Sequence, residues 1–184
     1  MPAGSARSGW SVPPGCSGYV VVSGPPASGK TTLAAALRDE LGLPLIAKDT
    51  IKEALMDILD VPDLAASRRI GQASVRVLYA VAREIRPAIL ESAWRRSYSR
   101  SELLALSAPI VEVFCRCSRD GVERRYRARA TSRAAGHFDT ERDIAELWND
   151  ETAQPVAGGW PVIEVDTEKA VEVAALATAI RSAG

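Results

Sequence analysis

The chain has 184 residues, of which 47% are hydrophobic and 25% are charged. This length predicts one domain whose core is large enough to fold without disulfide or metal staples. The composition excludes a disordered, collagen-like or coiled-coil chain. The formal net charge of zero argues against a positive electrostatic potential over the whole surface, which would attract nucleic acid.

Residues 1–17 are rich in Gly, Ser and Pro and predict a flexible arm ahead of a single domain at 18–184. The arm lacks the apolar segment of a signal peptide, and no apolar run approaches the ~18 residues that span a bilayer. We therefore expect a cytoplasmic protein with no membrane partner. Cys115 and Cys117 lack the spacing and companions of a zinc site, so we interpret both as core residues of one strand.

The first predicted strand, 19–23, is a β-branched run without alternation, which is typical of a strand buried on both faces. Helices and strands then alternate to the end of the chain. Further strands are predicted at 44–47, 88–91, 110–117 and 162–165, and helices at 30–41, 50–59, 67–85, 101–106, 119–133, 139–152 (with Asp139 as N-cap) and 168–181. This order predicts an α/β fold with a five-stranded parallel sheet covered by helices on both faces.

A phosphate-binding loop lies between the first strand and the first helix. The segment Gly24-Pro-Pro-Ala-Ser-Gly-Lys-Thr31 matches the pattern G-x-x-x-x-G-K-[ST] without a substitution. Pro25 and Pro26 have no N–H, so the amides of Ala27 through Thr32 must form the phosphate cradle. In this motif Lys30 reaches the β- and γ-phosphates, and the Thr31 hydroxyl is a ligand of Mg²⁺. The predicted ATP-binding residues here are Gly24, Ala27, Ser28, Gly29, Lys30, Thr31 and Thr32.

Two residues on the acceptor side follow the second strand. Asp49 stands just beyond the strand end, where ligands bind in open α/β sheets, and a carboxylate there can accept the proton of an attacking hydroxyl. Lys52, three residues later, can hold an anionic part of the acceptor. The alternative interpretation is that Asp49 or Thr50 only caps the following helix.

The strand, the segment GPPASGKTTLA and the K-D-x-I-K-E helix resemble the small P-loop kinases grouped with chloramphenicol phosphotransferase, zeta toxins and polynucleotide 5′-kinases. The resemblance extends in element order over about residues 18–182 and implies a fold of the nucleoside-monophosphate-kinase type. It implies that Asp49 is the general base. Glu91 stands where relatives carry an acid near Mg²⁺ or the acceptor, although aspartate is commoner there. Asp166 and Thr167 stand where relatives pass the adenine ring.

The basic residues concentrate in one predicted helix. Between Arg116 and Arg133 there are seven arginines against two acids, and Arg125, Arg129 and Arg133 share one helical face. Arginines on a lid, here about residues 119–137, can stabilise charge on the transferred phosphoryl group. The resemblance supports Arg125 and Arg129 in this role, with Arg129 also near ATP and Arg133 near the acceptor. The alternative is a solvated basic helix paired with the acidic segment 139–151.

These features favour an ATP- and Mg²⁺-dependent kinase that phosphorylates a hydroxyl of a small molecule such as an antibiotic, a nucleoside or a nucleotide sugar. The predicted acceptor side comprises Asp49, Lys52, Glu91, Trp94 and Arg133, although an aromatic residue as close to a strand end as Trp94 is more often a core residue. A nucleic-acid 5′-hydroxyl kinase is the first alternative, and the zero net charge and ten aromatic residues count against it. A nucleotide-binding switch or a toxin-like protein is the other alternative.

Overall fold

The computed structural model describes residues 17–130, 135–138 and 142–184. Five strands are present: β1 (Tyr19–Ser23), β2 (Leu45–Ala47), β3 (Ala88–Glu91), β4 (Ile110–Arg116) and β5 (Val162–Asp166). The helices are α1 (Lys30–Leu41), α2 (Lys48–Met56), α3 (Leu64–Glu84), α4 (Arg96–Leu104), α5 (Arg119–Ala130), α6 (Ile144–Leu147) and α7 (Val173–Ala183). One short 3-10 helix, Ala135–His137, lies between α5 and α6. The predicted arm falls almost wholly outside the described residues.

The five strands form one parallel sheet in the order β2-β3-β1-β4-β5. Val21 of β1 lies opposite Leu90 of β3 and Glu112 of β4, so the first strand is central. The chain leaves β1 towards one edge and later returns to the other, which opens a crevice at the carboxyl end of β1. The predicted α/β class and the five-stranded parallel sheet are confirmed. Among the described residues, no helix is both long and apolar enough to cross a bilayer.

The sheet is buried on both faces because β1, β3 and β4 present apolar side chains in both directions. One face packs under α1 and α7 through a cluster that includes Val22, Leu37 and Ile180. The other packs under α3 and α4 through a cluster that includes Leu78 and Leu103. Two helical layers thus hold the strand ends, and the loops that follow them, at one edge.

The prediction of a helix over 139–152 is wrong at most of the residues that the structure describes there. Among residues 142–152, only Ile144–Leu147 is helical, and Asp143 caps it by accepting a hydrogen bond from the Ala145 N–H at 3.0 Å. The chain turns after Leu147 because Asn149 Oδ1 accepts from the Glu151 N–H at 3.0 Å, a local bond that competes with helix formation. The proposed cap, Asp139, lies outside the described residues.

The boundaries of the other helices shift by a few residues. The second predicted helix begins at Lys48 and ends at Met56 instead of spanning 50–59. The last begins at Val173 instead of Glu168. There, Glu168 is engaged elsewhere, because its carboxylate accepts from the N–H of Ser118 at 2.8 Å. Glu168 therefore belongs to the turn between β5 and α7, not to α7 itself.

One carboxylate is fully buried in the middle of the sheet. Glu112 of β4 has no exposed surface, and its oxygens accept hydrogen bonds from Ser23 Oγ at 2.6 Å, Val156 N at 2.8 Å, Ala157 N at 2.9 Å and Trp160 Nε1 at 2.9 Å. Glu112 was not among the predicted site or core residues, although an acid inside an apolar strand is itself a signal. It ties the end of β1 to the segment that leads into β5.

We expect Glu112→Gln to lower the free energy of unfolding by about 2–4 kcal/mol, because the amide NH₂ would face N–H donors and the charge-assisted bonds would be lost. Chemical denaturation followed by circular dichroism measures this. The matched control is Glu164→Gln on the neighbouring strand, where the side chain is exposed and a change within about 0.5 kcal/mol is expected. Equal unfolding midpoints for the two variants would contradict the role given to Glu112.

Candidate active site

The loop after β1 has the backbone shape that close approach to a phosphate requires. Gly24 has φ 134°, and a Cβ there would lie 2.6 Å from the carbonyl oxygen of Cys115. Gly29 has φ 89° and occupies the N-cap position of α1. A side chain at Gly24 would collide with the backbone of Cys115, and the positive φ angles of Gly24 and Gly29 disfavour any residue that has a side chain. The loop therefore keeps its amides clear of side chains.

The N-terminus of α1 fits an anionic ligand. No side chain caps it, so its first amides point into the loop. Ser28 Oγ is buried beside this loop and has no hydrogen-bond partner in the part of the chain that the structure describes. Thr31 is exposed at the start of the helix, as a hydroxyl ligand of Mg²⁺ must be. These residues fit a nucleotide phosphate chain with its magnesium ion.

Lys30 lies beneath the loop with 6% of its surface exposed, and its Nζ donates to the carbonyl oxygen of Pro25 at 2.7 Å. Burial lowers the pKa of Lys30, and the charges of Glu91 and Asp49 oppose this effect, whereas that of Arg129 adds to it. These four charged groups come from α1, β3, α2 and α5. The fold therefore brings three other residues of the predicted site within electrostatic reach of the Lys30 ammonium group.

Asp49 lies in the first turn of α2, and its side chain is 39% exposed. The helix is capped at Ala47 without a side-chain hydrogen bond, so the capping role considered for Asp49 or Thr50 is not observed. Lys48 Nζ lies 2.8 Å from Asp49 Oδ1. Lys48 was not among the predicted site residues, although its position directly before a candidate base was a usable signal.

Glu91 ends β3, in register with Val22 of β1 and Ala47 of β2, and is 4% exposed. Its position places a buried carboxylate beside the phosphate loop, where it can hold Mg²⁺ or face the acceptor. Trp94, three residues later, is 2% exposed and donates from Nε1 to the carbonyl oxygen of Val22 at 3.0 Å. The structure thus places Trp94 in the core beneath the site, the second of its two interpretations.

Helix α5 is tied to the loop through the end of β5. Arg125 donates to the carbonyl oxygen of Thr167 at 2.8 Å, and Thr167 Oγ1 donates to that of Ser28 at 2.6 Å. Arg129 lies one turn further on, with its guanidinium carbon 5.0 Å from the centre of the Tyr126 ring. Arg133 lies outside the described residues. Arg125 of the predicted lid and Thr167 of the predicted adenine side are therefore both connected to the phosphate-binding loop.

The other acidic and basic residues near the end of β5 form ion pairs on the surface. Asp166 faces Arg116 at 3.2 Å and Lys169 at 3.4 Å. A hydrogen bond from the backbone of Glu168 is the main reason that the pKa of Asp166 is lowered. Arg124 pairs with Glu168, and Arg127 with Glu123 of its own helix. These pairs leave Thr167, rather than Asp166, turned towards the loop.

Lys52 is buried at 2% exposure. Its Nζ donates to Ser67 Oγ at 2.7 Å and lies 3.5 Å from His137 Nδ1. An acceptor that contacts Lys52, as predicted, would therefore have to reach an ammonium group that is buried between helices. Among the described residues, no group of three or more His, Cys, Asp or Glu side chains could hold a metal ion. A magnesium ion here would use Thr31, Glu91 and the phosphates of its nucleotide.

The two core cysteines lie directly behind the loop, and burial raises the pKa of Cys115 to about 12 and raises that of Cys117. In a Cys16→Ser, Cys117→Ser background, in which Cys115 is the one remaining thiol, we expect Cys115 to react with a thiol-specific disulfide reagent about a thousandfold more slowly than an ordinary thiol, because the thiolate is the reactive form. Absorbance of the released chromophore gives the rate. Guanidinium-unfolded protein is the control and should react at the normal rate; rapid reaction of the native protein would contradict this placement.

The fold and the loop define a P-loop protein of the kinase type. The AAA domain family model matches residues 20–151, and the chain belongs to that family. No curated protein sequence matches the chain. The family match does not distinguish the chloramphenicol phosphotransferase group, which the sequence resembles, from other groups of the family.

Solved structures share the fold. A candidate kinase from Chloroflexus aurantiacus J-10-fl is 28% identical with a TM-score of 0.82, and the match covers 95% of this chain and 100% of that one. A gluconokinase from Sinorhizobium meliloti 1021 is 19% identical with a TM-score of 0.59, covering 90% and 91%. A shikimate kinase from Acinetobacter baumannii is 18% identical with a TM-score of 0.53, covering 89% and 90%. Together with the family, they support a phosphotransferase in general terms.

Proposed function

We propose that this chain transfers the γ-phosphoryl group of ATP to a hydroxyl of a small molecule, with Asp49 as the general base. The observation that carries the proposal is the convergence of Lys30, Asp49, Glu91 and Arg129 on one crevice beside the phosphate loop. A cation for the phosphates, a base for the acceptor and an arginine for the transferred group are the parts that phosphoryl transfer needs.

In the proposed reaction the acceptor oxygen forms a bond to the γ-phosphorus while the bond from that phosphorus to the bridging oxygen breaks, and ADP leaves. The acceptor proton passes to the Asp49 carboxylate, which is partly exposed and so accessible to a bound molecule. Lys30 and the amides at the start of α1 hold the phosphates in place. Magnesium supplies further neutralisation of the phosphate charge when it is bound.

The nucleotide side of the proposal rests on the link between Arg125, Thr167 and Ser28. This link fixes the end of β5 against the loop, so that the backbone at Thr167 can border the nucleotide base. Arg129, one turn beyond Arg125 and within electrostatic reach of Lys30, is the proposed arginine for the γ-phosphate. The acceptor side is formed by Asp49 and Glu91, with Lys48 holding Asp49.

The test is ADP release from Mg²⁺-ATP in the presence of a panel of hydroxyl acceptors: aminoglycosides, amphenicols, nucleosides, nucleotide sugars, sugars and 5′-hydroxyl oligonucleotides. We expect one small-molecule class to raise the rate by at least about a hundredfold over the rate without acceptor, because an oriented hydroxyl outcompetes water. Mass spectrometry of the acceptor must show one added phosphoryl group.

Stimulation by oligonucleotides alone would replace this proposal with a nucleic-acid 5′-hydroxyl kinase. A slow rate that no acceptor changes would favour a nucleotide-binding switch and would contradict the proposed transfer.

A further inference from the structure

Helix α3 carries a glycine opposite the start of α2. Gly71 lies in the interior of this 21-residue helix, where glycine is the least favourable residue after proline. A glycine in such a position is explained when a neighbouring backbone comes too close for a side chain. A Cβ on Gly71 would instead lie 3.8 Å from Lys48 Nζ and 4.0 Å from Lys52 Cε, which are ordinary van der Waals distances. Among the described residues, the packing of α3 on α2 therefore leaves room for a side chain that the sequence does not provide.

The space in front of Gly71 borders the proposed base. Lys48 Nζ, the atom nearest to a Cβ on Gly71, donates to Asp49 Oδ1 at 2.8 Å. Gly71 is partly exposed, and the side chains of Lys48 and Asp49 are 21% and 39% exposed, so solvent reaches all three. A molecule that presents a hydroxyl to Asp49 therefore has this space beside it.

The ammonium group at the edge of the space determines which substituents fit there. An ammonium group has three donors and no acceptor. Among the described residues, Asp49 is the one hydrogen-bond partner of Lys48 Nζ, so the ammonium has donors left for another oxygen. A substituent that displaces water from these donors must supply that oxygen, or the hydrogen bond is lost. The space therefore fits a hydroxyl, carboxylate or phosphate group better than an apolar group.

We infer that Gly71 determines which acceptors the site admits, because it leaves room beside Lys48 for an oxygen-bearing substituent next to the reacting hydroxyl. This role rests on the proposed function, since it concerns the acceptor of the same reaction. The atoms nearest to a Cβ on Gly71 all belong to α2, whereas the phosphate cradle belongs to the loop before α1. A larger side chain at Gly71 should therefore impair acceptor binding and leave nucleotide binding unchanged.

A substitution series tests the effect of size, with the panel acceptor that stimulates the wild type most. Gly71→Leu fills the space, so we expect the KM for this acceptor to rise by at least about tenfold, while Mg²⁺-ATP raises the melting temperature as in the wild type. Gly71→Ala adds only the Cβ, and its KM should stay within about twofold of the wild-type value. The matched control is Ala73→Leu, on the opposite, exposed side of α3, which should behave as the wild type.

A deoxy analogue of the same acceptor tests the contact with Lys48. The analogue lacks the oxygen next to the phosphorylated hydroxyl. We expect the wild type to use it with a kcat/KM about ten- to a hundredfold lower, because a hydrogen bond to a charged group is lost. Gly71→Leu keeps that oxygen away from Lys48 and should no longer distinguish the two acceptors.

A thiol probe tests the open space without an acceptor. Gly71→Cys and Ala73→Cys are made in the Cys16→Ser, Cys117→Ser background and treated with the anionic reagent sulfonatoethyl methanethiosulfonate. We expect the two introduced thiols to react at rates within about tenfold of each other, because both are accessible. The modified Gly71→Cys protein should lose acceptor stimulation and keep its response to Mg²⁺-ATP, whereas the modified Ala73→Cys protein should keep both.

Failure of the role given to Gly71 is distinguishable from failure of the proposed function. Acceptor kinetics that are unchanged in Gly71→Leu, or equally impaired in Gly71→Ala and Gly71→Leu, would overturn this role while the phosphoryl transfer stands. Equal use of the acceptor and its deoxy analogue by the wild type, or a shielded thiol in Gly71→Cys, would overturn it as well. A wild type that no panel acceptor stimulates would contradict the proposed function itself, even with a reactive thiol in Gly71→Cys.

Discussion

Lys30→Met is expected to lower acceptor-dependent ADP release by about 10²–10³-fold, because the variant loses the cation that holds the phosphates in the transition state. Lys30 is the charged group that the fold places beneath the loop, where burial lowers its pKa and an anionic ligand would restore the favourable environment of the ammonium. The effect should therefore appear in nucleotide binding as well as in turnover.

Thermal denaturation with and without Mg²⁺-ATP measures the binding part. A ligand at about 100 times its dissociation constant stabilises the folded state by ~2.7 kcal/mol, which for a chain of this size raises the melting temperature by about 5–10 °C. We expect this rise in the wild type and its loss in Lys30→Met. The control, Arg38→Met, alters an exposed cation about 12 Å further along the same helix and should leave the rise intact. An unchanged rise in Lys30→Met would rule out the proposed phosphate contact.

Asp49→Asn is expected to reduce acceptor-stimulated ADP release by about 10²–10⁴-fold while the thermal rise with Mg²⁺-ATP remains. An amide has nearly the shape of the carboxylate but cannot accept the acceptor proton. The structure supports this separation because Asp49 belongs to α2 and its partner is Lys48, whereas the loop amides belong to α1.

The matched control for Asp49→Asn is Asp57→Asn, which removes an exposed carboxylate at the other end of the same helix. Its turnover should equal that of the wild type. Full acceptor stimulation in Asp49→Asn would show that another group, or the phosphate itself, takes the proton. A loss of nucleotide binding would instead show that Asp49 acts on the nucleotide side.

The sequence was most informative where a pattern depends on local physics. The run of β1, the periodicity of α1 and the glycines of the loop are local features, and the structure shows each at the predicted residues. The end of the 139–152 helix was predicted wrongly because Asn149 forms a bond that helical periodicity does not reveal. Helix ends depend on such individual side chains.

The site was less predictable, because its residues meet only through tertiary packing. Sequence motifs gave Lys30 and Asp49, but spacing alone left Trp94 open between pocket and core, and the burial of Lys52 depends on Ser67 and His137 from distant parts of the chain. Glu112 was missed for the same reason, since its four donors come from residues 23 and 156–160.

The buried Glu112 has a consequence for synthesis on the ribosome. Its carboxylate joins a donor 89 positions earlier to donors 44 to 48 positions later. A nascent chain that has emerged only to about residue 150 can already pair β1 with β3 and β4, yet the carboxylate then has one of its four partners. The buried carboxylate of the central sheet therefore lacks three of its four hydrogen bonds until the segment before β5 has been made. We therefore expect the growing chain to complete its nucleotide loop late, when more than four-fifths of it has been translated.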